Sequence, residues 1–257
     1  MSNHVYGWKR DLPDPRDHHF ELSLEERLTV LPDHFSLRAH MPPVYDQGEL
    51  GSCTANAISG AVQYQQMKQK EAEGSHVPSR LFIYWNERKL EGTVDYDAGA
   101  FISDGMKVVA TVGAPPEEDW PYDINKFTQK PSAQAFADAL KYEATKYGRI
   151  TQSAHSFKAS IYFKRPVVFG FTVFESFESQ AVANTGIMPM PNIHKEQVLG
   201  GHAVLAMGWK LINGQEYLEV RNSWSDGWGD EGYFWMPMQY AIDPNYVSDL
   251  WHINLES

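Results

Sequence analysis

The chain has 257 residues, of which 42% are hydrophobic, and a formal net charge of −11 at pH 7. This length is sufficient for one large or two modest globular domains. The acidic excess, with no long basic cluster, argues against nucleic acid or anionic membranes as main partners. No apolar stretch approaches the roughly 20 residues of a membrane span, so membrane insertion is not expected.

The chain contains a single cysteine, Cys53, and therefore cannot form an intrachain disulfide. Residues 1–10 contain no hydrophobic segment typical of a signal peptide. We therefore expect a cytoplasmic protein suited to a reducing compartment, with signal-independent export as the alternative. One cysteine and no His-x-x-x-His pair also argue against a structural zinc site, so neither a metal nor a cofactor is expected.

Residues 1–30 are polar and rich in proline, and they are predicted to form an N-terminal arm outside the globular domain at 31–257. Three aromatic residues in this arm, Tyr6, Trp8 and Phe20, are candidate anchors to the body of the protein.

The most informative stretch surrounds Cys53. Gly48 and Gly51 interrupt regular structure, Ser52 is a good N-cap residue, and helical spacing predicts a helix from Cys53 to about residue 73, ending at Gly74. Unpaired backbone N–H groups and the helix dipole favour an anion at a helix start, so the Cys53 thiol is expected to ionise easily. A lone cysteine is nevertheless more often a buried hydrophobe, and catalysis requires a base from elsewhere in the chain.

Further elements follow from hydrophobic period and turn residues. Helices are predicted from near Arg80, at 102–112, 132–147 and 156–163, and strands at 166–173, 203–209, 216–221 and 232–236. Asn213-Gly214 predicts the tip of a hairpin between the second and third of these strands. The pattern indicates a helical half and an antiparallel-sheet half.

Two later stretches carry candidate partners for Cys53. His202 lies in Gly-Gly-His-Ala-Val, and Asn222 opens Asn-Ser-Trp-x-x-x-Trp-Gly-x-x-Gly-Tyr, while Gln47 precedes the cysteine by six positions. Together these motifs resemble the papain-like cysteine peptidases, whose catalytic groups are Gln, Cys, His and Asn. The resemblance runs from about Leu31 to near Trp251.

The resemblance implies an α+β fold of two lobes with the active-site cleft between them. It places the helical lobe at about 44–145 and the β-rich lobe at about 146–257 together with 31–43. It implies a cysteine endopeptidase acting on peptide or protein substrates. Cys53 would be the nucleophile, His202 its base, Asn222 the group that orients His202, and Gln47 an oxyanion donor beside the Cys53 backbone N–H.

The resemblance also implies substrate-binding residues. Gly99 and Ala100 match a wall that pairs with the substrate backbone, with Ala100 replacing a second glycine. Trp224 would cover the His202–Asn222 bond. Gly170 and Gly200, with Ala203, match the pocket for the second residue before the cut, which is expected to accept a bulky apolar side chain. Gly201 is also assigned to substrate binding, although the family often has aspartate there.

Two alternatives to an endopeptidase remain open. The first is an amidase or transamidase, because the same catalytic residues serve those reactions. The second is a catalytically silent binding protein, in which residues 1–30 fill the cleft of a peptidase body. The arm is too short to be the family's usual inhibitory propeptide domain. It could plug or brace the cleft, or be an ordered arm on the surface.

Overall fold

The structure, a computed structural model, describes residues 4–69, 75–144 and 146–254. The helices in these residues are α1 Leu24–Leu28, α2 Cys53–Gln69, α3 Arg80–Glu91, α4 Ile102–Thr111, α5 Ala133–Ala139, α6 Ala154–Tyr162, α7 Gln180–Thr185 and α8 Met238–Ala241. The strands are β1 Trp8–Lys9, β2 Phe35–Ser36, β3 Ala100–Phe101, β4 Lys146–Arg149, β5 Val167–Phe174, β6 Val198–Ile212, β7 Gln215–Arg221, β8 Tyr233–Pro237 and β9 Val247–Asn254.

Seven strands form one antiparallel sheet in the order β4-β9-β5-β6-β7-β8, with β2 also paired to β6. Its central strand β5 is an almost continuous run of buried apolar residues, as expected where both faces are covered. β6 and β7 join through Asn213 and Gly214, at φ 51° and 79°. Positive φ at both positions is the two-residue hairpin turn that Asn-Gly favours.

Helix α2 lies at the centre of the helical part, where it contacts α3, α4 and strands β5, β6 and β9. Its residues from Cys53 to Gln65 are all buried. A Cβ at Gly60 would lie 3.4 Å from the Arg221 side chain and 3.5 Å from that of Leu205, so glycine allows the helix to approach the sheet closely. This packing brings the first residue of α2 against the strands that carry His202 and Asn222.

The N-terminal arm is ordered along the body of the protein. Strand β1 pairs in parallel with β3, and His19 forms a bridge with Arg149. Phe20 packs on His252 with ring centroids 4.3 Å apart. A capping box between Ser23 and Glu26 begins α1.

Most predicted elements are confirmed to within a few residues. The predicted helix at 132–147 is wrong in its second half, because the helix ends at Ala139 and β4 begins at Lys146 to pair with the edge of β9. The predicted end of the first helix, at 73–74, lies outside the described residues. No helix in the described part of the chain is both long and apolar enough to cross a membrane.

Candidate active site

Cys53 is the first residue of α2 and is completely buried. Ser52 precedes it, and the Ser52 hydroxyl lies 2.5 Å from the Tyr122 hydroxyl and accepts from the Asn56 side-chain amide at 3.0 Å. The second bond of the Asn56 amide, to the Ser52 carbonyl at 2.9 Å, fixes the turn before the helix. The position of the thiol is therefore set by the first turn of α2 and the segment before it.

His202 on β6 and Asn222 at the end of β7 form a buried pair. The Nε2 atom of His202 lies 2.7 Å from Oδ1 of Asn222, and the same Oδ1 accepts the backbone N–H of Ser223 at 2.8 Å. Trp224 stacks on the imidazole with ring centroids 4.8 Å apart and covers the pair. The arrangement fixes the orientation of the imidazole and leaves its Nδ1 for another partner.

Gln47 is buried between the same segments. Its Oε1 accepts the Ser223 hydroxyl at 2.7 Å, and its Nε2 donates to the carbonyl oxygens of Leu50 at 2.9 Å and Val5 at 3.2 Å. The amide orientation is thus fixed, and one of its N–H groups points to a peptide carbonyl of the arm.

The arm passes directly over Cys53. The carbonyl of Gly7 accepts the N–H of Ala100 at 2.7 Å, so the predicted wall pairs with the arm itself. Glycines permit this approach, since a Cβ at Gly7 would lie 1.7 Å from the carbonyl oxygen of Gly51 and one at Gly99 would lie 2.1 Å from that of Gly7. The arm therefore fits only with glycine at position 7.

The predicted pocket glycines also contact the arm. A Cβ at Gly170 or Gly201 would lie 1.9 or 2.5 Å from the Trp8 ring, and one at Gly200 would lie 2.7 Å from Tyr6. At the end of this pocket the indole N–H of Trp8 donates to the carboxylate of Asp249 at 3.1 Å. Sequence reasoning missed Asp249, whose unusual backbone, at φ 59°, leaves no recognisable pattern in the sequence.

Burial controls the ionisation of the two reactive groups. It raises the pKa of the Cys53 thiol to about 11, although backbone N–H groups that include those of Ala203 and Gly7 lower it. Burial also lowers the pKa of His202 to about 4, against a smaller opposing effect of its bond to Asn222. The predicted easily ionised thiol is wrong for this arm-covered form, because desolvation outweighs the helix dipole. Both groups are neutral at pH 7.

No group of three or more His, Cys, Asp or Glu side chains suited to a metal ion occurs among residues 4–69, 75–144 and 146–254. A second residue that sequence reasoning missed, Glu178, contacts the arm through His4 and Tyr6. The site thus combines a thiol, a histidine oriented by an amide, and a fixed side-chain amide donor. This set of groups is chemically suited to thiol-dependent acyl transfer.

Comparison with known proteins agrees with this class. The family model described as papain family cysteine protease matches residues 31–247. An uncharacterized peptidase C1-like protein of Acanthamoeba polyphaga mimivirus is 40% identical over 271 residues, covering 96% of this chain and 86% of the viral protein.

Solved structures give the same fold. Xylellain, a cysteine protease from Xylella fastidiosa, superimposes with a TM-score of 0.89 at 36% identity, covering 99% of this chain and 97% of the other. Procathepsin B S9 from Trypanosoma congolense, at 18% identity, shares the fold with a TM-score of 0.79, covering 98% of this chain and 87% of the other. Several other curated relatives are longer, and this chain spans between 32% and 69% of their length.

The chain belongs to the papain family of cysteine peptidases, enzymes that hydrolyse peptide bonds, and it has that family's two-lobe α+β fold.

Proposed function

We propose that the chain hydrolyses peptide bonds through Cys53, His202 and Asn222, with the Gln47 side chain and the Cys53 backbone N–H as oxyanion donors. The observation that carries this proposal is the 3.2 Å bond from Gln47 Nε2 to the carbonyl oxygen of Val5. A peptide carbonyl thus already occupies a fixed donor beside the thiol. Such donors act by binding the charge that develops on this oxygen during attack.

In the proposed reaction, the Cys53 sulfur bonds to the substrate carbonyl carbon, and His202 carries the thiol proton to the leaving amine. Water then attacks the thioester, gives a proton back through His202, and releases the acid and the free thiol. Asn222 holds the imidazole through Nε2, which leaves Nδ1 as the nitrogen that exchanges a proton with the thiol, and Trp224 excludes water from the Nε2–Oδ1 bond.

We infer that the arm inhibits this reaction. In a substrate, the residue that fills the pocket occupied here by Trp8 precedes the scissile carbonyl in the chain. In the arm the order is reversed, because Trp8, which fills the pocket, follows Val5, whose carbonyl is bonded to Gln47. The arm therefore runs in the opposite direction to a substrate. A segment bound in this direction blocks the cleft without presenting a bond for cleavage, and it keeps the thiol neutral.

The direct test is labelling of the folded full chain carrying Gly7→Ala, which displaces the arm, with a peptidyl epoxide, followed by mass spectrometry. Because Cys53 is the only cysteine, one added probe identifies the labelled thiol. We expect one probe per chain, together with loss of hydrolysis of a peptidyl amide substrate. Labelling that leaves hydrolysis unchanged, or a folded chain that never reacts even after the arm is displaced, would favour the silent binding protein instead.

The pocket at Gly170 carries a specificity prediction. It holds a Trp ring, so it has room for the expected bulky side chain, but it ends in the carboxylate of Asp249, whose side chain is only 5% exposed. With the arm displaced, Asp249 Oδ1 keeps its 3.4 Å contact with Arg149, whereas Oδ2 loses its Trp8 and Asp11 donors and could accept from a substrate Arg or Lys. A purely apolar preference is therefore not what the geometry supports.

We expect Asp249→Asn to lower kcat/KM about tenfold for a substrate with Arg as the second residue before the cut, and less than twofold for the Leu analogue. Both substrates would be measured in the full chain carrying Gly7→Ala to displace the arm. Asp95→Asn, which removes an exposed carboxylate, is the matched control. An Arg-to-Leu ratio that Asp249→Asn leaves unchanged would refute this role.

A further inference from the structure

The end of the arm opposite Trp8 lies on a surface formed by Trp224, which also covers the His202–Asn222 pair, and by Glu178, which the proposed mechanism does not use. His4 stacks on Trp224 with ring centroids 3.6 Å apart and planes inclined by 5°. Its Nδ1 lies 3.0 Å from each carboxylate oxygen of Glu178, and Tyr6 donates its hydroxyl to the same carboxylate. An aromatic face and an acidic side chain thus hold one nitrogen-containing ring between them.

Glu178 and Trp224 are fixed relative to each other by the packing beneath them. Glu178 ends the 3-10 helix Glu175–Glu178, and the preceding residue, Phe177, is 1% exposed. The Phe177 ring lies 5.6 Å from that of Trp224 and 5.4 Å from that of Trp228. Since this aromatic cluster belongs to the body of the protein and not to the arm, the two side chains should keep their spacing when the arm leaves.

This surface lies on the leaving-group side of the cut. Trp8 occupies the pocket for a residue before the cut, and the Val5 carbonyl occupies the Gln47 donor. His4 continues past that donor in the direction away from the pocket. In a productive complex, the residues after the scissile bond would therefore pass over Trp224 and Glu178.

We propose that Glu178 and Trp224 form a specificity site for a basic side chain, Arg or Lys, in the first or second substrate residue after the cut. A cation over an indole face is attracted by the ring, and a carboxylate at the ring edge adds a charge-assisted hydrogen bond. Beneath the docked arm the Glu178 side chain is 16% exposed, and a substrate that replaces the arm would shield the carboxylate from solvent in the same way. The inference rests on the proposed peptidase function and names the substrate class of the same cleft.

The test uses the full chain carrying Gly7→Ala and a series of quenched fluorescent peptides that differ only after the cut, with Arg, Lys, Gln or Leu at the first or second position. Mass spectrometry confirms the cleaved bond. We expect kcat/KM to be about tenfold higher for Arg than for Gln at one of these positions, which corresponds to about 1.4 kcal/mol. Glu178→Gln should bring this ratio close to one.

Asp226→Asn is the matched control, because it removes an exposed carboxylate two residues from Trp224 without touching the proposed site. It should leave the Arg-to-Gln ratio unchanged. Since Glu178→Gln also removes contacts to the arm, absolute rates are expected to rise for every peptide, and only the ratio within each variant tests the site.

The outcomes separate this inference from the proposed function. Hydrolysis of all peptides with equal kcat/KM, or a preference for Arg that Glu178→Gln does not change, overturns the specificity site and leaves the peptidase in place. If no peptide is cut, the proposed function fails, and calorimetric titration of the same peptides still tests the surface. Tighter binding of the Arg peptide that Glu178→Gln abolishes supports the site; equal binding overturns it.

Discussion

Replacing His202 with alanine is expected to lower kcat for peptide hydrolysis by about 10⁴-fold, because the thiol then has no base and the leaving amine has no acid. The His202 imidazole is held by Asn222 at 2.7 Å and covered by Trp224, and the substitution removes this oriented base. The measurement, made in the full chain carrying Gly7→Ala, is steady-state hydrolysis of a peptidyl amide, together with the rate of epoxide labelling at Cys53.

His252→Ala is a suitable control for this prediction. His252 is also buried, and burial lowers its pKa to about 4, as it does for His202. Its ring packs on Phe20 in another part of the sheet, away from the thiol. We expect His252→Ala to lower the melting temperature without the loss of kcat. Equal loss of activity in both variants would mean that burial of the imidazole, and not its chemistry, explains the effect.

Local patterns predicted much of the fold. The α2 helix begins at Cys53, and the Asn213-Gly214 turn joins β6 and β7 as expected, because capping and turn preferences act over a few residues. Strand β9 was missed, since its sequence from Val247 to Asn254 mixes apolar, acidic and histidine residues. Its identity as a strand comes from pairing with β4 and β5, which no short window can indicate.

The sequence predicted which residues form the candidate site, but not that the arm covers them or that the thiol is neutral. Gln47, Cys53, His202 and Asn222 were identified from motifs, and the structure brings three of their segments together through Ser223 and the Trp224 ring. The acidic residues at the two ends of the cleft were not predicted. Asp249 and Glu178 are recognisable only because Trp8 and His4 of the arm contact them. The course of the arm depends on tertiary contacts, which the sequence does not reveal.

The pKa of the Cys53 thiol depends more on tertiary burial than on its local position at a helix start. A helix start favours an anion by about 0.3–1 kcal/mol at exposed sites. Complete burial acts in the opposite direction and is large enough to raise the pKa of Cys53 to about 11. Because the arm lies on this thiol, with the Gly7 N–H acting on it, the ionisation of Cys53 and His202 should depend on whether the arm is docked.

Gly7→Ala is therefore expected to increase the rate of epoxide labelling of Cys53 at pH 7 by about 100-fold. The new Cβ would lie 1.7 Å from the Gly51 carbonyl oxygen, a backbone atom, so the arm cannot seat in its present position. Solvent would then reach the thiol and the imidazole and remove the desolvation that keeps both neutral. A Cys53 thiol with a pKa of about 11 holds roughly one part in 10⁴ as thiolate at pH 7, so even a modest fall has a large effect.

The dependence of the labelling rate on pH tests the direction of this effect. With the arm docked, the thiolate fraction rises with pH up to the pKa of about 11, so labelling of the unmodified chain should accelerate throughout the range from pH 7 to 10. In Gly7→Ala the same profile should shift to lower pH. Gly227→Ala is the matched control, since its Cβ would meet only the Ser225 hydroxyl, at 3.7 Å. Identical pH profiles for the unmodified chain and Gly7→Ala, in proteins of equal melting temperature, would show that the arm does not control ionisation of the thiol. A shift confined to Gly7→Ala would identify the arm as an inhibitor that is released without being cut.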